Sequence, residues 1–192
     1  MDKTTQSHLA NLWSQDRDTQ GKAFQYILAA TDRPVDWAYA VWNDLVAHLR
    51  DPDNHSRAIA AQVLCNLAKS DPDERILKDF EKLLAVTHDE RFVTARHCLL
   101  ALWKIGTAGA KQRRRLVKGL EQRYVECVNE KNGTLIRSDI IQDLRQLYDA
   151  TGDAKLEATA QALIEMETDA KYRQKYARMW RAGRISTEGK FE

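Results

Sequence analysis

The chain has 192 residues, 43% hydrophobic and 30% charged, with three prolines and eight glycines, a balance expected of amphipathic helices rather than of a disordered or all-β chain. Its 30 Lys and Arg against 28 Asp and Glu leave a formal net charge of +2, and no run approaches the ~18 consecutive apolar residues of a membrane span. Met1 to Gln6 lacks the basic-then-apolar order of a secretory signal, so a cytoplasmic setting is expected. Cys65, Cys98 and Cys127 are odd in number and widely spaced, each in an apolar helical context, which predicts buried thiols rather than a disulfide framework or a zinc site.

Leu9, Leu12 and Trp13 predict a short leading helix. Phe24, Ile27 and Leu28 make an i, i+3, i+4 stripe that ends before Asp32-Arg33-Pro34. After that turn Trp37, Val41, Leu45 and Leu49 follow at four-residue steps until Arg50-Asp51-Pro52-Asp53, where the residue before proline is pushed out of helical geometry. These two helices form a first hairpin over residues 20–50. A second, over 54–88, turns at Ser70-Asp71-Pro72-Asp73, where an acidic residue can cap the new helix. Ile76, Leu77, Phe80, Leu83 and Leu84 line its second helix.

A third hairpin, residues 90–130, breaks at Gly106-Thr107-Ala108-Gly109, and Leu116, Leu120 and Tyr124 mark its second helix. In the fourth, 134–169, Leu135, Ile136, Ile140, Leu144 and Leu147 precede a break at Thr151-Gly152-Asp153, followed by Leu156, Ala160, Leu163 and Ile164. A terminal helix is expected over 170–183 and a polar tail over 186–192, the whole of 1–185 forming one domain.

The hairpins repeat. Ala60, Leu64 and Leu67 align with Ala95, Leu99 and Leu102 at about 35 residues, the kind of period that marks stacked helical units. Leu144 and Leu147 echo the pattern after a longer interval of about 45 residues, and loops between repeats accept such insertions. The fold expected is an all-α solenoid of about four antiparallel helix pairs, closed by a C-terminal capping helix.

Small Ala residues followed by Leu-x-x-Leu, with Asp-rich turns before them (Asp51-Pro52-Asp53 and Thr87-His88-Asp89-Glu90), resemble the HEAT and HEAT-like (armadillo-type) helical repeat superfamily over about residues 20–170. Ser56-Arg57 with Ala60 approximates the Val-Arg and spaced Ala of that family; Phe92-Val93-Thr94-Ala95 lacks the Arg at the matching place. The resemblance implies a right-handed superhelix of helix pairs that acts as a scaffold for proteins or nucleic acids. Some HEAT-like proteins are DNA glycosylases that set a carboxylate, aromatics and Arg in a cationic groove. This chain has no local match to their catalytic segment, and Trp37, Trp42 and Trp103 lie on apolar stripes that predict core positions.

Charge is banded. Between Lys104 and Arg123 stand seven basic residues and one acid, and between Lys171 and Arg184 six basic residues and none. Lys111, Arg113, Arg114, Arg115 and Lys118 open the second helix of the third hairpin. At about 100° per residue the three consecutive arginines cannot all be buried beside Leu116 and Leu120. In the terminal helix Tyr172, Tyr176 and Trp180 form an i, i+4, i+8 stripe bordered by Arg173, Lys175, Arg178 and Arg181. That stripe either stacks bases while the cations neutralise phosphates or docks on the last hairpin as a cap. These nine cations are the candidate surface for an anionic partner.

His8, His48, His55, His88 and His97 contain no His-x-x-x-His pair. His48, His55 and His88 fall near turns and can meet on one edge, but no metal or cofactor is expected. Gly-x-Ser-x-Gly, a Walker loop and Gly-x-Gly-x-x-Gly are all missing. The expectation is a non-catalytic scaffold with a protein partner, nucleic acid being the alternative.

Overall fold

The computed structural model describes residues 1–181, and among them there is no strand. Within these residues eleven α-helices succeed one another: α1 (Lys3–Asn11), α2 (Arg17–Ala30), α3 (Ala38–His48), α4 (Asn54–Leu67), α5 (Arg75–Ala85), α6 (Phe92–Leu99), α7 (Trp103–Thr107), α8 (Ala110–Glu126), α9 (Gly133–Thr151), α10 (Ala154–Glu165) and α11 (Ala170–Arg181). The polar tail expected at 186–192 and the last two residues of the expected terminal helix lie outside the described residues. The chain divides into two compact units, Met1–Leu116 and Val117 onward.

Aspartate starts several of these helices. Asp2, Asp16, Asp53 and Asp153 are the N-caps of α1, α2, α4 and α10, each accepting a hydrogen bond from a backbone N–H of the first turn. Such a cap satisfies a donor that has no partner inside the helix and is worth about 1 kcal/mol. Asp71 serves α5 the same way, accepting from the N–H groups of Arg75 and Ile76 at 2.9 and 2.7 Å. At the far end of α9, Gly152 adopts φ 65° and its N–H closes the helix on the Tyr148 carbonyl at 2.7 Å, a left-handed stop that glycine makes without strain.

In the first unit α4 is central and packs against α2, α3, α6 and α7. It is buried almost all round: Ala58 to Ala61, Val63 to Leu67 and Ser56 are all withdrawn from water. The small side chains at Ala60 and Ala61 let neighbouring helices approach, while Leu64 and Leu67 fill the space beyond them. Their counterparts Ala95, Leu99 and Leu102 are buried too, so the repeated signature is a packing signature. Helices α2, α4 and α6 begin at residues 17, 54 and 92, close to the period read from the sequence.

One expected helix is broken. The apolar pattern leading to Gly106 predicts a continuous helix, but α6 stops at Leu99. The N–H groups of Ala101, Leu102, Lys104 and Ile105 then bond three residues back rather than four. No glycine or proline marks this change. A tightening from four- to three-residue hydrogen bonding leaves the apolar pattern intact while rotating the next segment about the axis, so α7 begins afresh at Trp103 and presents Lys104 to α4.

In the second unit α9 packs against both α10 and α11, and α10 against α11. A three-residue 3-10 turn, Cys127–Asn129, leads from α8 toward α9. All three cysteines are buried thiols, as expected.

Candidate surface for an anionic partner

Leu116, Leu120 and Tyr124 are fully buried along α8, as their spacing predicts, and this fixes where its cations point. Lys111 and Arg115 turn toward α5. Lys111 Nζ donates to Glu74 Oε2 at 2.9 Å, and Arg115 pairs with Glu81 while its guanidinium lies 5.0 Å from the centroid of the Phe80 ring. The Lys111 hydrogen bond holds the Glu74 carboxyl below its usual range. Arg113 is half-buried and donates from Nε to the Gly106 carbonyl at 3.2 Å. Arg114 and Lys118, one helical turn apart, are exposed. The predicted row of five is thus a mixed set: two cations tie α8 to α5, one closes the turn before it, and two face solvent.

The second predicted group sits on α11, whose aromatic stripe docks through two of its three rings, Tyr172 staying half-buried against Tyr176. Tyr176 and Trp180 are buried. Tyr176 Oη donates to the Thr134 carbonyl at 2.7 Å, and Trp180 Nε1 to Glu157 Oε1 at 3.4 Å. Burial pushes the Tyr176 hydroxyl's pKa well above the usual tyrosine value. Arg145 lies 5.3 Å from the ring centroids of both Tyr148 and Trp180 and donates to the Trp180 carbonyl at 2.5 Å. The faces of Tyr176 and Trp180 are therefore covered by α9 and α10. Arg173, Lys175, Arg178 and Arg181 remain exposed along the outer side, with Arg173 reaching back to the Glu167 carbonyl at 3.2 Å.

Two arginines that carry much of the second unit's polar interior escape the sequence pattern. Arg123 is 1% exposed and grips both oxygens of Glu130 at 2.6 and 2.8 Å. Arg137 is buried as well, donating to Glu167 Oε2 at 3.0 Å and to the Tyr124 carbonyl at 3.1 Å, with its guanidinium 4.7 Å from the Tyr124 ring centroid. Desolvation works against the Arg137 cation, yet the hydrogen bond to Glu167 raises its pKa. The signal that could have found it is position: Arg137 stands next to Ile136 and one turn before Ile140 and Ile141, on the buried side of α9.

Trp42 is fully buried, with Nε1 donating to Asp79 Oδ2 at 3.0 Å. Trp37 and Trp103 are only half-buried, a correction to their expected core positions, because each flanks a helix start where the apolar face is incomplete. His48 stacks face to face on Trp13 at 3.6 Å and lies 3.5 and 3.7 Å from carboxylate oxygens of Asp44 and Asp51. Among the described residues no group of three His, Cys, Asp or Glu side chains has an arrangement able to hold a metal ion, and no helix is long and apolar enough to cross a membrane.

No protein-family model matches the chain. A search of curated proteins gave no match either. Solved structures do resemble it. An engineered protein from the Northeast Structural Genomics Consortium shares 18% identity, with 93% of this chain and 95% of that one covered and a TM-score of 0.51. A designed armadillo repeat protein, solved in complex with the peptide (KR)4, shares 15% identity over 93% of this chain and 80% of that one, with a TM-score of 0.55. A further engineered protein gives 15% identity, 94% and 80% coverage, and a TM-score of 0.54. At such identities the likeness concerns the fold, and the fold is an all-α helical repeat of the armadillo and HEAT-like type.

Proposed function

We propose that this chain is a non-catalytic scaffold, working in the cytoplasm, whose helical repeats hold a segment of another protein. The observation that carries the reading is the likeness to a designed armadillo repeat protein solved with a peptide bound, since repeat folds of this kind present rows of side chains from successive units to an extended partner. The exposed cations Arg114 and Lys118 on α8, and Arg173, Lys175, Arg178 and Arg181 on α11, favour acidic stretches in that partner through steering and local potential. A reducing compartment suits three buried thiols.

Nucleic acid is the weaker reading. Binding of single strands combines a cationic track with aromatic faces, and here Tyr176 and Trp180 are covered while Lys111 and Arg115 already have carboxylate partners. The test is affinity capture from cell extract with and without nuclease, repeated with Arg114→Glu/Lys118→Glu. Partners retained after nuclease, and weakened several-fold by the double reversal, support a protein-binding scaffold. Capture that disappears with nuclease, and retention on a polyanion column that falls with log salt, would replace it with the nucleic-acid reading.

A further inference from the structure

We infer that Lys104 is an acylation site, the amine among the described lysines that reacts fastest with activated acyl donors such as acyl phosphates. The placement comes from the tight turn after α6, which delivers Lys104 to the side of α4 with its Nζ 2.5 Å from Asn66 Oδ1. Asn66 is completely buried. Its amide nitrogen donates to Thr31 Oγ1 at 3.0 Å and to the Leu28 carbonyl at 3.2 Å, so the carboxamide cannot turn over and its oxygen is the atom offered to the lysine.

The partner is therefore a neutral carbonyl. Lys22, Lys82 and Lys111 each donate to a carboxylate instead, which stabilises the ammonium and withholds its lone pair. Around Lys104 the titratable neighbours come from three directions. Asp32, after α2, favours the cation, as Cys65, on α4, does only when ionised; Lys69, just beyond α4, opposes it, and its own Nζ is engaged by the Asp32 carbonyl at 2.9 Å. Burial of the stem is the largest influence and, with Lys69, holds the amine below the usual lysine range. The side chain stays half-buried rather than sealed, with the Trp103 ring centroid 6.0 Å from Nζ.

In the reaction the unprotonated Nζ attacks the acyl carbon. A C–N bond forms, the C–O bond to phosphate breaks, inorganic phosphate leaves with the bonding pair, and the proton released from nitrogen passes to water. The product amide has lost its charge and all but one of its N–H donors, which loosens the thread from Thr31 through Asn66 to Lys104 that ties three successive repeats.

The probe is acetyl phosphate, with acetylation of each lysine followed by quantitative mass spectrometry on the full chain near neutral pH. Lys104 should acetylate about threefold or more faster than the exposed Lys78, Lys118 and Lys171, the more weakly protonated amine having the larger reactive fraction. The advantage should shrink as pH rises toward the ordinary lysine value of about 10.4. Asn66→Asp places a carboxylate against Nζ and should abolish the advantage while leaving the other lysines unchanged. Should that variant fail to fold, Lys69→Gln removes the neighbouring cation and should slow Lys104 about twofold. Acetylation of Lys104 no faster than of the exposed lysines, or a Lys104 rate unmoved by Lys69→Gln, overturns the assignment.

Discussion

Arg57 grips Asp89 by both carboxylate oxygens, from Nε at 2.5 Å and from Nη2 at 2.9 Å, across 32 positions of sequence. The remaining nitrogen, Nη1, donates to the Asp51 and Pro52 carbonyls at 2.8 and 3.1 Å. One guanidinium thus fastens the turn before α4 to the turn before α6. A repeat earlier, Arg17 holds Asp53 in the same bidentate way at 2.9 and 2.7 Å, and Asp53 is also the cap of α4. The two clamps differ in burial. Side-chain exposure is 14% and 5% for Arg57 and Asp89 against 51% and 25% for Arg17 and Asp53, so water screens the first pair much less.

Arg57→Ala should accordingly destabilise the first unit by about 2–3 kcal/mol, since removing one partner of a largely buried pair leaves the other charge poorly compensated, with only Arg91 beside it. Arg17→Ala should cost clearly less. For the intact protein, burial works against the Asp89 carboxylate but the Arg57 hydrogen bonds outweigh it, so its carboxyl sits below the usual range. A carboxyl depressed on folding contributes stability that is fully present above its unfolded value of about 3.9 and is lost as pH falls through the lower folded value. In Arg57→Ala burial acts on Asp89 opposed only by the Arg91 backbone N–H and the Arg91 charge, so its carboxyl is less depressed and the variant loses less stability as pH falls. The deficit measured by urea unfolding should be largest near neutrality and narrow below about pH 4. A deficit that does not change with pH would mean that the clamp acts through packing alone.

Both halves of that clamp are visible in the chain, Arg57 beside Ser56 as a family-like dipeptide and Asp89 in an acidic turn, but the pairing needs two repeats laid side by side. The same holds on α8. Read as an isolated helix, Lys111 and Arg115 point outward; Glu74 and Glu81, which neutralise them, stand just before and within a helix more than 30 positions earlier. Helix limits are legible where a residue's own chemistry sets them, as with the caps Asp53 and Asp153 and the stop at Gly152. The break after Leu99 is not, because a shift to three-residue hydrogen bonding requires no special residue. Docking of the α11 stripe is one of two options that its spacing allows, and burial of Tyr176 and Trp180 decides for it.

Gly133 marks a close approach of backbone to backbone. A Cβ at this position would lie 2.2 Å from the Cys127 carbonyl oxygen and 3.3 Å from its carbon, and those atoms belong to the 3-10 turn before α9 and have no rotamer by which to retreat. Gly133→Ala should lower stability by about 1–3 kcal/mol through overpacking. Gly152→Ala provides the comparison: nothing lies within 4 Å of its Cβ, and the cost, about 1 kcal/mol, comes only from the left-handed φ. Thermal unfolding of the two variants should rank Gly133→Ala as the more damaged. The reverse order would show that the turn at Cys127 yields.

Trp180 is the anchor of α11, tilted against Tyr148 at 5.5 Å between centroids and backed by Arg145. Trp180→Ala removes the largest apolar contact of the terminal helix, and a buried Trp truncated in a core costs about 3–5 kcal/mol. A helix at the end of its unit can detach instead of straining the remainder, which limits the loss to the free energy of docking. Backbone amides of α11 should then exchange at rates close to those of an unstructured peptide, while those of α4 keep their protection. Tyr176→Phe deletes only the hydroxyl that donates to the Thr134 carbonyl at 2.7 Å and should cost about 1 kcal/mol, leaving α11 docked. Hydrogen exchange separates these outcomes. Protection of α11 that survives Trp180→Ala would place the docking energy in Tyr176 and its neighbours, whereas loss of protection in α4 as well would mean that the cap stabilises the first unit too.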